Sequence, residues 1–209
     1  LFIVVPVLLK SEVRVLRLDA APLVSFAGIG VAFMLIEISQ IQRLTVLLGH
    51  PTFSLSVALS GLLVSRGAGS FSTPALGAPG MARGTVARLA GLVGVLSLIG
   101  LATPGLVRMF QASATPIRVA LALALLAPAG FFMGMVFPVA MRIASWQRPR
   151  LMPWLWGING AASVCASVLA VIISSSWGIS AAWWIGVLCY IIASGPIVIA
   201  ARTADQSSA

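Results

Sequence analysis

Ala21-Pro22-Leu23-Val24-Ser25-Phe26-Ala27-Gly28-Ile29-Gly30-Val31-Ala32-Phe33-Met34-Leu35-Ile36-Glu37-Ile38-Ser39-Gln40-Ile41-Gln42-Arg43 holds a single ionisable group, Glu37, ahead of its closing arginine. About 20 apolar residues suffice for a helix to cross the hydrocarbon core of a bilayer. The run is continuous rather than alternating. In lipid that pattern suits a helix, which satisfies its own backbone, and not a barrel strand of about ten residues. Five further runs of the same kind follow, at roughly 52–71, 85–106, 116–144, 153–177 and 179–201. The expectation is an all-α, polytopic transmembrane helical bundle of about six spans. A partial N-terminal helix precedes it at 1–9. The chain divides into a partial helix and cytoplasmic linker at 1–20, a transmembrane domain at 21–202 and a polar tail at 203–209.

Composition agrees. Of 209 residues, 60% are hydrophobic and 8% charged, against about 25% charged in a soluble chain. That deficit excludes a soluble enzyme, a disordered chain and a disulfide scaffold. Cys165 and Cys189 sit in apolar runs and read as inert buried hydrophobes. The opening Leu1-Phe2-Ile3-Val4-Val5-Pro6 lacks a basic leader and reads as the end of a membrane helix that begins upstream, or as one short interfacial segment.

Thirteen basic residues stand against four acidic ones, for a net charge of +9. In a soluble protein such an excess would suggest nucleic acid. Here no nucleic-acid partner is expected, because the charge sorts by connection. Lys10, Arg14, Arg17, Arg66, Arg83, Arg88, Arg142, Arg148, Arg150 and Arg202 fall on one side. Arg43, Arg108 and Arg118 fall on the other. The first, Arg-rich side is expected to be cytoplasmic. Trp146, Trp154 and Trp156 gather at one interface and Trp177, Trp183 and Trp184 at the other, as in an aromatic belt.

Proline and glycine punctuate the runs. Pro22 and Pro51 open spans, Thr73 to Gly80 is a loop, and Trp177-Gly178 is a tight hairpin. Pro104-Gly105 and Pro116 bracket a turn. Gly67–Gly69 marks a break, and the over-long fourth run is expected to kink or break at Pro128, Gly130, Gly134 and Pro138.

An acid inside a span is a functional-site hypothesis by default. Glu37 lies six residues before Arg43, roughly 9 Å into the membrane, and Ser56 lies roughly 7–8 Å past Pro51 from the same side. The candidate polar pocket is therefore Glu37, Gln40, Gln42, Arg43, His50, Ser56, Arg118 and Asn159, with Ser54 and Ser60 on the facing edge. Arg66 falls near the opposite side and is expected to snorkel. The pocket would take a proton, a cation, a headgroup or an amine. The plainer alternative is a buried carboxylate that fixes helix register. His50 reads as a cap or loop contact, and Asn159, among small residues, as packing glue. No catalytic residue, metal site or cofactor is expected: one histidine allows neither a metal cluster nor a Ser-His-Asp set, and no Gly-rich nucleotide loop follows a strand.

Phe26 to Arg43, followed by Leu47-Leu48-Gly49-His50-Pro51-Thr52-Phe53-Ser54-Leu55, resembles a signature of the bacterial spermidine synthase-like integral membrane proteins. Gly130-Phe131-Phe132-Met133-Gly134-Met135-Val136-Phe137-Pro138 and Pro153 to Ser163 resemble two more blocks of that family, in order. The resemblance covers about residues 20–200. Such proteins carry membrane helices around a soluble domain similar to aminopropyltransferases and S-adenosylmethionine-dependent methyltransferases, and only the membrane part has a counterpart here. The resemblance implies a multi-pass protein of the bacterial inner membrane, whose partners are the lipid bilayer and a soluble SAM-type domain or another membrane subunit. It implies that Glu37, Gln40, Gln42, Arg43, His50, Pro51 and Asn159 are signature polar positions. Arg66 and Phe53 depart from its pattern. The function expected is a membrane domain that anchors or serves such an enzyme domain. A small-molecule transporter or a non-catalytic accessory subunit is the alternative.

Overall fold

Prolines and glycines set the helix ends. The computed structural model describes residues 20–73 and 81–207, and every regular element in them is helical: α1 (Ala20–Leu48), α2 (Pro51–Phe71), α3 (Met81–Phe110), α4 (Thr115–Gln147), a 3₁₀ turn (Pro149–Leu151), α5 (Met152–Trp177) and α6 (Ile179–Ser207). Pro51 stands in the first turn of α2, where its missing N–H leaves no helical bond unmade. Gly178 joins α5 to α6 at φ +90°, a left-handed conformation that lets the chain reverse in one residue. The half-span at 1–9, the linker with Lys10, Arg14 and Arg17, and most of the loop after Thr73 lie outside the described residues.

Five helices, α1, α3, α4, α5 and α6, are long and apolar enough to cross a membrane. That is the make-up of a multi-pass membrane protein. Five serines and Arg66 dilute α2, the sixth expected span. Its 21 residues still extend about 31 Å at 1.5 Å per residue.

α1 is the central helix. It packs along α5 and α6 and also meets α2, α3 and α4. The main core gathers Phe26 of α1, Leu92 and Leu96 of α3, Leu155 of α5, and Trp183 and Tyr190 of α6. A smaller core joins Leu44 and Leu47 of α1 to Ala58 and Leu62 of α2 and Leu126 of α4. Large apolar side chains also cover the outside, among them Leu63, Phe71, Leu101, Val164 and Ile199. Apolar exteriors of this kind suit a lipid environment.

Several sequence expectations need correction. Gly67–Gly69 does not break α2, because Gly69 lies where α2 meets α4: a Cβ there would strike the carbonyl of Phe131. The matching glycines of α4 are just as tight, Gly130 against Ser65 and Gly134 against the backbone of Arg66. Small residues let the two helices approach closely, the usual device of membrane helix pairs. Pro128 and Pro138 do not break α4 either: it is one helix of 33 residues with both inside it. Pro104 lies inside α3 instead of ending it, and the turn falls after Phe110. Trp183 is fully buried, not part of a belt. Its indole N–H donates to the carbonyl of Leu96 at 3.2 Å. Cys165 is exposed, on an outer face of α5, rather than buried.

Candidate functional site: a buried ion pair on the central helix

Phe33, Glu37 and Gln40 follow the i, i+4, i+7 spacing that places side chains on one helix face. Arg66 of α2 meets this face. Its Nη1 donates to Glu37 Oε2 at 3.2 Å, and the side chains are only 17% and 11% exposed. The guanidinium also lies over the Phe33 ring, 4.1 Å from its centroid, a cation–π contact strengthened by desolvation. Phe33 and Glu37 thus grip one arginine from successive turns. Behind it, Gly134 lets α4 press on the backbone of Arg66.

Arg66 therefore does not snorkel, and the reason is helix length. α1 continues past Arg43 to Leu48, so Glu37 lies eleven residues, roughly 16 Å, from that end. Arg66 is fifteen residues into α2, roughly 22 Å from the same side. The long arginine side chain closes the difference. Taking Arg43 as the end of the span put the carboxylate too near the surface.

Around the pair are polar atoms that bond to no protein partner. They are Nε and Nη2 of Arg66, both amide atoms of Gln40, and the hydroxyl of Tyr190. Gln40 and Tyr190 are each 1% exposed. Tyr190, on α6, lies within electrostatic reach of both Arg66 and Glu37. Buried polar groups left without partners are costly, most of all in lipid. One signal pointed to Tyr190 in the sequence: it is the only tyrosine, set in an apolar run. Arg66 is likewise a lone charge in an apolar run.

Toward the end of α1 the polar line continues. Arg43 is 6% exposed and its Nη2 donates to Ser180 Oγ at 3.3 Å, beside the α5–α6 hairpin. Its guanidinium lies 4.8 Å from the Trp183 ring centroid. Nη1 of Arg43, Oγ of Ser39 and Oε1 of Gln42 are buried without a partner.

The other candidates do not join Glu37. Ser54 Oγ donates to His50 O at 2.7 Å and reaches Leu44 O at 3.3 Å, two turns beyond the acid. Ser56 and Ser60 are exposed and bond back into their own helix. His50 is exposed and occupies the N-cap position of α2 without a side-chain cap bond. Arg118 Nη1 donates to the carbonyl of Leu47 at 3.2 Å, closing the C-terminal end of α1 where carbonyls lack helical donors. Asn159 Nδ2 donates to Phe26 O at 2.9 Å and ties α5 to α1, as an amide on a small-residue face does. The pocket read from the sequence is therefore two things. Glu37 and Gln40 share one face of α1 with Arg66 and Tyr190 about them, Arg43 continues toward Ser180 nearer the helix end, and Gln42 points to another face of α1. His50, Ser56, Arg118 and Asn159 serve helix ends and helix contacts elsewhere.

Compared with family models, with curated proteins and with solved structures, the chain finds no match.

Proposed function

We propose that this bundle is the membrane part of a spermidine synthase-like protein. It anchors a cytoplasmic SAM-type enzyme domain in a bacterial inner membrane, Arg-rich face inward, and offers it a polar ligand site at Glu37 and Arg66. The sequence blocks quoted above support the kinship. The observation that supports the site is the buried Glu37–Arg66 pair with hydrogen-bonding capacity to spare. A bundle that only anchors a neighbour has no need of an ion pair in its interior, and intramembrane ionisable residues mark ligand or ion pathways.

The ligand chemistry follows from the charges. Arg66 already neutralises Glu37, so a free amine would have to displace it. The unspent groups are mainly donors: two guanidinium N–H groups and the Gln40 amide, with the Tyr190 hydroxyl beside them. The site thus favours a neutral ligand that carries acceptor oxygens. The same pair also suits a small-molecule transporter, since transporters place charged residues facing the bundle interior.

The test is purification of the tagged chain from native membranes in mild detergent, with photolabelling by an S-adenosylmethionine analogue. A labelled SAM-type polypeptide, fused or co-eluting, is expected. Its turnover should fall in Glu37→Gln while its association persists. A chain that elutes alone, binds no such domain and moves solute in proteoliposomes would establish the transporter instead.

A further inference from the structure

Among the described residues no carboxylate is left for Arg43. Glu37 bonds to Arg66 and projects from α1 about 120° around from Arg43. The remaining acids belong by sequence to the opposite end of the bundle. Glu12 and Asp19 come before Ala20, which is 23 residues, roughly 34 Å, ahead of Arg43 along α1. Asp205 is 25 residues, roughly 37 Å, past Ser180 along α6. Arg43 is nevertheless 6% exposed, and a buried charge without a partner is costly.

The groups around this guanidinium can still donate. Its Nη2 bonds to Ser180 Oγ in the first turn of α6, and Ser180 keeps its own hydroxyl hydrogen to give. Its Nη1, in the same rigid fork, is buried without a partner. Ser39 stands one turn back on the same face of α1. It is fully buried, and its hydroxyl is unpartnered too. The N–H groups of Ala181 and Ala182 bond to Gly178 O, whereas those of Ile179 and Ser180 precede the first helical bond. The positive dipole end of a 29-residue helix therefore meets a buried cation. The neighbouring negative end, the last carbonyls of α1, already accepts from Arg118.

Space limits the ligand. Trp183, fully buried, covers the guanidinium at 4.8 Å, and Gln40 beside it is 1% exposed. The open side is the α5–α6 hairpin, where Trp177, Gly178 and Ser180 are exposed.

We infer that Arg43 and the first turn of α6 hold a small monovalent anion of halide size, which enters from the hairpin end. Arg43 Nη1 is its charged donor, and the Ser180 hydroxyl and the first N–H groups of α6 are its neutral ones. The site is separate from the Glu37–Arg66 pair and needs no enzyme domain.

The purified full chain in uncharged detergent, added to chloride at constant ionic strength, tests it through the quadrupolar NMR linewidth of chloride. The line should broaden saturably with the chain. Excess bromide should narrow it again, while gluconate and inorganic phosphate, too large for the site, should not. Arg43→Gln should abolish the broadening, and Arg118→Gln, which removes an arginine from the same end, should leave it unchanged. Ser180→Ala alters an exposed position and should weaken chloride about tenfold, the share of one hydrogen bond to a charged group. If Arg43→Gln fails to accumulate, Ser180→Ala decides alone. No saturable broadening, displacement by phosphate as readily as by bromide, or binding indifferent to both Arg43→Gln and Ser180→Ala would overturn the inference.

Discussion

At the scale of single residues, the decisive feature is that an acid and a base in two apolar runs find each other. Removing one partner of a buried pair leaves an uncompensated charge and costs about 3–5 kcal/mol. Glu37→Gln is therefore expected to lower the melting temperature in detergent markedly, although it preserves shape and hydrogen-bonding capacity. Arg66→Lys keeps the charge but loses the planar face that lies on Phe33, so its loss should be smaller and measurable in the same melt. Asn159→Ala forfeits one interhelical hydrogen bond, worth about 0.6–1.7 kcal/mol in membrane bundles, and should leave ligand binding at Glu37 unchanged. The acid was legible in the sequence as the one charge inside its span. Its partner was not, because depth was counted from Arg43 and α1 ends five residues later, at Leu48. Arg43 misled for a physical reason: an arginine usually marks the membrane surface, and this one is buried on Trp183 and Ser180.

Among elements, the contact that matters most is the crossing of α2 and α4. Gly130 and Gly134 are one turn apart, and so are Ser65 and Gly69 across from them. The two backbones meet where no larger side chain fits. Gly134→Val inserts atoms against the backbone of Arg66. Overpacking of this kind costs about 1–3 kcal/mol, and here it also shifts the arginine that faces Glu37. The expected outcome is a lower melting temperature together with weakened binding at the polar site, whereas Gly105→Ala on α3, which meets nothing, should change neither. Helix existence was readable from hydropathy alone, since long apolar runs in lipid have one economical conformation. Breaks were read poorly. Gly67–Gly69 and Pro104 look like punctuation in a soluble chain, yet both lie within helices. At Gly69 the reason is close packing against α4.

For the whole molecule, the lopsided charge and the alternating helix ends make one statement about orientation. Arg142, Arg148, Arg150 and Arg202 belong to one end of the bundle, and Gly178 turns the chain at the other. With Cys165 and Cys189 replaced, a single cysteine at Arg150 should react with an impermeant maleimide only in permeabilised cells, and one at Trp177 should react in intact spheroplasts. The reverse pattern would invert the bundle. The central claim is that Glu37 and Arg66 form a site and not merely a clasp, and it is tested most directly by the double variant Glu37→Gln with Arg66→Met. Replacing both charges of a buried pair by groups of similar volume is often neutral or stabilising. The account therefore predicts that melting returns to the wild-type value, while binding and the activity of any attached enzyme domain stay lost. Full recovery of function along with stability would reduce the pair to a structural clasp and contradict the account.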